Sequence, residues 1–116
     1  MTQPIYKICT AEEWRQAQAV GHYSGSAVDR QDGFIHFSTA AQVKETAAKH
    51  FADRTDLVLV TVDAGRLGDA LKWELSRGGA LFPHLYGDLP TAVALSVAPL
   101  PLGEDGRHAF PADVAP

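Results

Sequence analysis

The 116-residue chain has a single cysteine and few basic residues, and these shortages exclude several classes of protein. Cys9 has no second cysteine with which to form a disulfide. Ten lysines and arginines against fourteen acidic residues give a net charge of −4, which offers little electrostatic support for binding a long nucleic acid. No signal-peptide pattern and no apolar stretch of membrane-spanning length occur. We therefore expect a cytoplasmic protein that binds neither a membrane nor long nucleic acid.

The common nucleotide and metal motifs are also missing. No G-x-G-x-x-G turn follows a strand and no P-loop is present, so a small nucleotide would have to bind in another way. The histidines are scattered, without a His-x-His, His-x-x-x-His or Cys-x-x-Cys pair, so we expect no dedicated metal site. The length suits a single domain over residues 1–116, in which residues 103–116 form a polar C-terminal tail.

Apolar periodicity and capping signals predict two helices in the N-terminal half. The segment "IYKICT" predicts a strand that ends at Thr10, whose side chain forms a capping box with Glu13 at the start of a helix running to about Gly21. The stretch "GHYSGSAVDRQDG" has no apolar period and predicts a long loop. The segment "FIHFS" predicts a strand, and Ser38 or Thr39 then caps the second helix.

Strands are predicted along the whole chain. The continuous apolar run "LVLVTV" is typical of a central strand, and "LKWELS" alternates as a strand with one polar face. A last strand is predicted in "TAVALSVAPLPL", whereas the Gly and Pro residues of "RGGALFPHLYGDLP" predict a loop. Two early helices among strands indicate an α+β class with a mixed, largely antiparallel sheet.

A histidine and a serine lie on the same face of the predicted "FIHFS" strand. Period-two geometry puts the side chains of His36 and Ser38 about 7 Å apart, too far for a Ser–His nucleophile pair but suitable for holding one ligand. The alternative is that His36 is a half-buried residue bonded to a neighbouring backbone and that Ser38 is only a helix cap. For an isolated histidine this alternative is the more common outcome.

The segment "FPHLYG" contains a second candidate pair. If the segment is extended, His84 and Tyr86 share a face, where an aromatic ring beside an imidazole can stack on a flat heterocycle and hydrogen-bond its edge. The alternative is a turn in which Phe82 and Leu85 fill the core while His84 and Tyr86 face water. Taken alone, the stretch favours the turn.

Glu74 and Arg77 form a third candidate pair. On the polar face of "LKWELS", Glu74 has the chemistry of a general base or of a partner for a ribose hydroxyl, and Arg77 that of a phosphate ligand. The alternative is a surface salt bridge between the two, worth at most ~1 kcal/mol. A structure in which His36, Glu74, His84 and Tyr86 converge on one hollow would favour a binding site.

The order "IYKI…EEW…GFIHFSTAAQV…DLVLVTVD…LKWE…FPHLYG" resembles the short, mostly bacterial proteins of domain-of-unknown-function family 952, over about residues 5–102. That family has been grouped with the ADP-ribosyltransferase-like fold, whose members hold NAD between two small sheets. A weaker similarity links "FIHFS" to the "His-Val-His-Leu-Ser" strand of RNA 2′-phosphotransferases. His36 and Ser38 fall on its second His and its Ser, but Asp32 and Phe34 replace the Arg and the first His of that enzyme.

The resemblance implies an ADP-ribosyltransferase-like split sheet and a protein that processes or binds NAD, as a glycosyltransferase-type enzyme with NAD as substrate and no metal. It implies catalytic roles for Glu74 and His36. Two alternatives stay open: a module that binds a nucleotide or small metabolite without turnover, and an interaction domain with no ligand. The ligand contacts implied by the resemblance are His36, Ser38, Arg77, His84 and Tyr86.

Overall fold

The computed structural model describes residues 3–76, 79–112 and 114. Within these residues the chain forms three α-helices and nine β-strands. The helices are α1 (Ala11–Val20), α2 (Ala27–Asp32) and α3 (Ala40–His50). The strands are β1 (Pro4–Thr10), β2 (His22–Tyr23), β3 (Ile35–His36), β4 (Ser38–Thr39), β5 (Leu57–Asp63), β6 (Leu71–Leu75), β7 (Leu81–Leu85), β8 (Leu89–Pro90) and β9 (Ala94–Pro99).

The described strands form three separate sheets. The largest has the order β4-β1-β5-β9, the second has the order β3-β7-β6, and β2 pairs with β8 alone. Every strand pair in this part of the chain is antiparallel, so the sheets contain no parallel component. The predicted α+β class and divided sheet are confirmed, and β5 is an inner strand of the large sheet, as its apolar run predicts.

The stretch "GFIHFST" crosses between two sheets. It forms two short strands on either side of Phe37, with β3 paired to β7 and β4 paired to β1. The side chains of Ile35 and Phe37 are buried, and the Phe37 amide donates to the Pro83 carbonyl at 3.0 Å. The prediction of one continuous strand is therefore wrong, and His36 and Ser38 belong to different sheets.

The predicted loop between α1 and α3 contains an additional helix, α2. Ser26 caps it, Asp29 completes a capping box, and Gly33 ends it in the left-handed conformation with φ 89°. The helix is six residues long and Asp29 is its buried residue, so it has no apolar stripe that periodicity could detect. The capping pattern, rather than burial of apolar side chains, defines this helix.

The predicted loop "RGGALFPHLYGDLP" also contains regular structure. Strand β7 lies between β3 and β6, although it includes Pro83, and β8 follows after three intervening residues and pairs with β2. The Pro83 carbonyl accepts the bond from Phe37, so this proline is held by its acceptor although it has no N–H to donate. Pairing with two neighbouring strands outweighs the local turn signals.

Two hydrophobic clusters lie on opposite faces of the large sheet. Ile5 and Cys9 of β1 belong to one cluster, whereas Tyr6 and Ile8 belong to the other, as the alternation of a strand requires. The first cluster includes residues of α1 and of the two smaller sheets. The second is completed by α3 and by side chains from the segment predicted as a polar tail: Phe110 and Val114.

Candidate functional site

The three-stranded sheet presents a row of chemically active side chains on one face. His36 of β3 lies directly opposite His84 of β7, and the period-two alternation of β6 and β7 puts Glu74 on the same side. Tyr86 follows β7 two residues after His84 and continues this face. The side chains of His36, Glu74, His84 and Tyr86, together with Phe34 packed among them, are called here the histidine cluster.

Glu74 is anchored by two donors from β7 and the residue after it. Its Oε1 atom lies 2.8 Å from His84 Nδ1 and accepts a 2.8 Å hydrogen bond from the Tyr86 hydroxyl. Both bonds favour the ionised carboxylate and lower the pKa of Glu74, while donation to Glu74 raises the pKa of Tyr86. His84 is buried, but the Glu74 side chain is 40% exposed, so solvent or a ligand can reach it.

Phe34 packs among the other rings of the histidine cluster. It stacks on His84 with ring centroids 4.1 Å apart and lies 4.6 Å from the His36 ring and 5.2 Å from the Tyr86 ring. The rings of His36 and His84 themselves meet edge to face at 5.5 Å. The cluster therefore offers aromatic faces next to a carboxylate, a combination that suits a flat heterocycle.

A buried network of charged side chains holds the ring of His36. Asp29 of α2 is 2% exposed, and its Oδ1 atom lies 2.6 Å from His36 Nδ1. Its Oδ2 atom forms a 2.7 Å ion pair with Nζ of the buried Lys7. The other ring nitrogen of His36, Nε2, lies 2.9 Å from Oδ2 of the half-exposed Asp32.

The carboxylate of Asp29 stays ionised although it is buried. Desolvation by itself would raise the pKa of Asp29, but the hydrogen bond with His36 and the ion pair with Lys7 outweigh it and hold the pKa far below its ordinary value. The Ser26 amide adds a further hydrogen bond, 2.9 Å long, to Oδ2. Asp29 is therefore a fixed negative charge next to His36.

The structure brings together four of the predicted site residues: His36, Glu74, His84 and Tyr86. Ser38 lies apart in the large sheet, where its hydroxyl is buried and 3.1 Å from the Thr46 hydroxyl. Arg77, and with it the alternative salt bridge to Glu74, lies outside the described residues. Among the residues that the structure describes, the partners of Glu74 are His84 and Tyr86.

Sequence reasoning missed Lys7, Asp29 and Asp32. Lys7 lies on the apolar strand β1, and the two aspartates lie in the segment predicted as a loop. The available signal was the pattern "SAVD", in which a serine and an acidic residue three positions later form a capping box. That pattern reveals α2, but the pairing of Lys7 with Asp29 depends on the tertiary fold.

A small cavity of about 270 Å³ adjoins the histidine cluster and includes Asp29 and Phe34 in its lining. A larger one of about 660 Å³ lies between α3 and the segment 105–110. In the part of the chain that the structure describes, no group of three or more His, Cys, Asp or Glu residues is placed to hold a metal ion. Nor is any described helix long and apolar enough to cross a membrane.

Comparison with known proteins places this chain in a family. The family described as "Protein of unknown function (DUF952)" matches residues 8–97. The crystal structure of protein CC0527 from Caulobacter crescentus is 51% identical, with a TM-score of 0.88, over 91% of this chain and 93% of that one. The solution NMR structure of CC0527 is 52% identical, with a TM-score of 0.82, over 90% of each chain. No curated protein matches the sequence.

Proposed function

The chain belongs to the DUF952 family of proteins of unknown function, and we propose that its histidine cluster binds NAD and cleaves the bond between nicotinamide and ribose. The observation that carries this proposal is the Glu74 carboxylate, which is fixed by His84 and Tyr86 and still 40% exposed. The grouping of this family with the ADP-ribosyltransferase-like fold, and the weaker similarity of "FIHFS" to a strand of RNA 2′-phosphotransferases, support the same choice of ligand.

The chemistry requires a negative group close to the ribose. When the C–N bond breaks, nicotinamide leaves with the electron pair and the ribose C1′ develops positive charge, which water or another nucleophile then quenches while releasing a proton. A carboxylate held in place before the reaction stabilises this charge without reorganisation. Glu74 has the lowered pKa that keeps it ionised for this role. The rings of Phe34 and Tyr86 would contact the nicotinamide.

Binding without turnover is the second candidate. It is favoured by Phe34, which covers His84 at a centroid distance of 4.1 Å, and by the small volume of the adjoining cavity, about 270 Å³. Pockets for small molecules usually measure about 300–1,000 Å³, so only part of an NAD molecule would be enclosed. Such a protein would hold the nucleotide at the exposed members of the histidine cluster, Glu74 and Tyr86.

One pair of measurements separates these two functions. The purified protein is incubated with NAD, and nicotinamide is followed by chromatography beside a Glu74→Gln variant, which keeps the shape of the side chain but removes its charge. Turnover by wild type at least 10-fold above Glu74→Gln supports the enzyme. A rise in melting temperature with NAD recovered unchanged supports binding alone, because a ligand that binds the folded state stabilises it. If NAD is neither cleaved nor bound, the remaining alternative is an interaction domain with no ligand.

A further inference from the structure

We infer that Asp29 is a positioning residue for His36: it accepts the hydrogen bond from Nδ1 and thereby makes Nε2 the atom that meets a ligand. The inference deepens the proposed function and rests on it only for the identity of the ligand. The hydrogen-bond geometry itself stands without any substrate.

Both oxygens of the Asp29 carboxylate are occupied by donors. Oδ1 faces the backbone amide of His36 at 3.2 Å and its ring Nδ1 at 2.6 Å. Oδ2 accepts from Nζ of Lys7 and from the amide of Ser26. Since an ionised carboxylate can only accept, Nδ1 of His36 must carry its proton toward Asp29.

Lys7 keeps Asp29 in the acceptor state. Its side chain is 6% exposed, and a buried ammonium is stable only beside a compensating charge. Lys7 lies on β1 and Asp29 on α2, so the pair also joins the large sheet to the helix that bears the carboxylate. The orientation of the His36 ring is therefore determined by two buried residues, Asp29 and Lys7.

The partner of Nε2 indicates which chemical group this atom can bind. Asp32, at the end of α2, places a carboxylate oxygen 2.9 Å from Nε2, and its side chain is 45% exposed. With carboxylates at both nitrogens, the ring satisfies both only by donating from both. A ligand group that replaces Asp32 must therefore present an acceptor oxygen. In NAD such oxygens belong to the nicotinamide carboxamide, the ribose hydroxyls and the pyrophosphate.

The test is whether Nδ1 of His36 carries a proton, observed in proton–nitrogen correlation spectra of protein containing isotope-labelled histidine. The His36 signals are assigned by their loss in a His36→Gln variant. In wild type we expect a protonated Nδ1. A wild-type spectrum with an unprotonated Nδ1 would overturn the inference without the need for any variant at position 29.

An Asp29→Asn variant sharpens this test. Lys7 and the Ser26 amide are donors at 2.7 and 2.9 Å, so the carbonyl oxygen of the substituted side chain turns toward them. Its NH₂ group then turns toward Nδ1 of His36, and the backbone amide of His36, bonded at 3.2 Å in wild type, loses this acceptor. Nδ1 must then accept, so it loses its proton and the ring is protonated at Nε2 alone. Unchanged His36 signals in folded Asp29→Asn would contradict the inference. A purely structural role of Asp29 would lower stability without removing the proton from Nδ1.

An Asp32→Ala variant provides the matched control at the other nitrogen. It should change the Nε2 signal and leave Nδ1 protonated, and an equal change at both nitrogens would contradict the separate roles of the two aspartates. Added NAD should move the Nε2 signal of wild type more than the Nδ1 signal. If NAD moves neither, the proposed function fails, whereas the role of Asp29 is decided by the proton at Nδ1 alone.

Discussion

The side chain of Asp29 packs against Gly25, which leaves room for it because glycine has no side chain. Gly25 has φ +103°, and a Cβ atom built there would lie 2.7 Å from Cβ of Asp29, closer than real Cβ contacts. Gly21 has a similar φ of +94°, but a Cβ atom there would have no heavy atom within 4 Å. The two glycines therefore share the backbone requirement and differ in the crowding around Asp29.

We predict that Gly25→Ala destabilises the protein more than Gly21→Ala. Both substitutions place an alanine in the left-handed region, at a cost of about 1 kcal/mol or more. Gly25→Ala must in addition displace the side chain of Asp29, beginning at its Cβ atom, which costs about 1–3 kcal/mol more. Urea unfolding of the two variants measures the difference. Equal losses in the two variants would show that Asp29 moves freely and that its position is not constrained by packing.

The depressed pKa of Asp29 predicts a specific loss of stability in acid. A group whose pKa is lower in the folded than in the unfolded chain stabilises the fold above its ordinary pKa of about 4, and this contribution disappears as the pH falls toward the folded value. The free energy of unfolding of wild type should therefore fall more steeply than that of Asp29→Asn between pH 5 and pH 3. An Asp69→Asn variant, altered at an exposed aspartate, should keep the wild-type slope. Parallel curves for wild type and Asp29→Asn would contradict this prediction.

At the scale of elements, helix α2 has the same cap as α1 but a different consequence for the site. The Thr10 hydroxyl accepts from the Glu13 amide at 2.9 Å in α1, and the Ser26 hydroxyl accepts from the Asp29 amide at 3.2 Å in α2. In the α1 capping box, the acidic residue Glu13 bonds the backbone amide of the cap residue Thr10. The acidic residue of the α2 box also holds His36 and Lys7.

Removal of either cap should cost about 1 kcal/mol of stability, but only one should affect His36. We predict that Ser26→Ala broadens or shifts the His36 ring signals, because the first turn of α2 fixes Asp29. Thr10→Ala, the matched control, should reduce stability by a similar amount and leave those signals in place. Chemical denaturation and the histidine spectra together check both parts. Wild-type His36 ring signals in Ser26→Ala would show that the cap of α2 does not control the position of Asp29.

The contrast between α1 and α2 shows how far the sequence predicts this fold. The helix α1 was predictable because a capping box precedes ten residues whose buried face contains Trp14 and Ala17. The helix α2 has the same capping pattern without an apolar face, so periodicity does not detect it. Strand β7 was missed for a similar reason, since the turn signals of its proline and flanking glycines are local, whereas its pairing with β3 and β6 is not.

The candidate site was predictable to the extent that it follows strand alternation. His36, Glu74, His84 and Tyr86 lie on one face because period-two spacing and antiparallel pairing place them there. Lys7 and Asp29 could not be assigned to the site in this way, because their contact joins a strand of one sheet to a helix 22 positions later, a relation that no local pattern encodes.

For the whole molecule, the large sheet separates two regions with different roles. One face of this sheet carries Lys7 and the first hydrophobic cluster, which also includes residues of the sheet that bears the histidines. The other face is covered by α3 and the segment that contains Phe110. Lys44 of α3 lies 6.0 Å from the centre of the Phe110 ring. The segment from Gly103 therefore contributes to packing, although its composition is polar.

We predict that Phe110→Ala lowers the free energy of unfolding by about 2 kcal/mol, roughly half the cost of removing a fully buried phenylalanine. The His36 ring signals should stay at their wild-type positions, because Phe110 lies on the other side of the large sheet. Urea unfolding and the histidine spectra measure these effects, with exposed Arg107→Ala as the control expected to change neither. Altered His36 signals in Phe110→Ala would show that the two faces are coupled.

The most direct measurement for the central claim is a titration of isotope-labelled wild-type protein with NAD, followed by backbone amide spectra. The account predicts shifts concentrated on β3, β6, β7 and Tyr86. A Glu74→Gln variant should bind at least 10-fold more weakly, because a hydrogen bond from a ribose hydroxyl to the charged carboxylate is worth about 1.5–3 kcal/mol. Shifts confined to the α3 face, or no shifts at millimolar NAD, would contradict it.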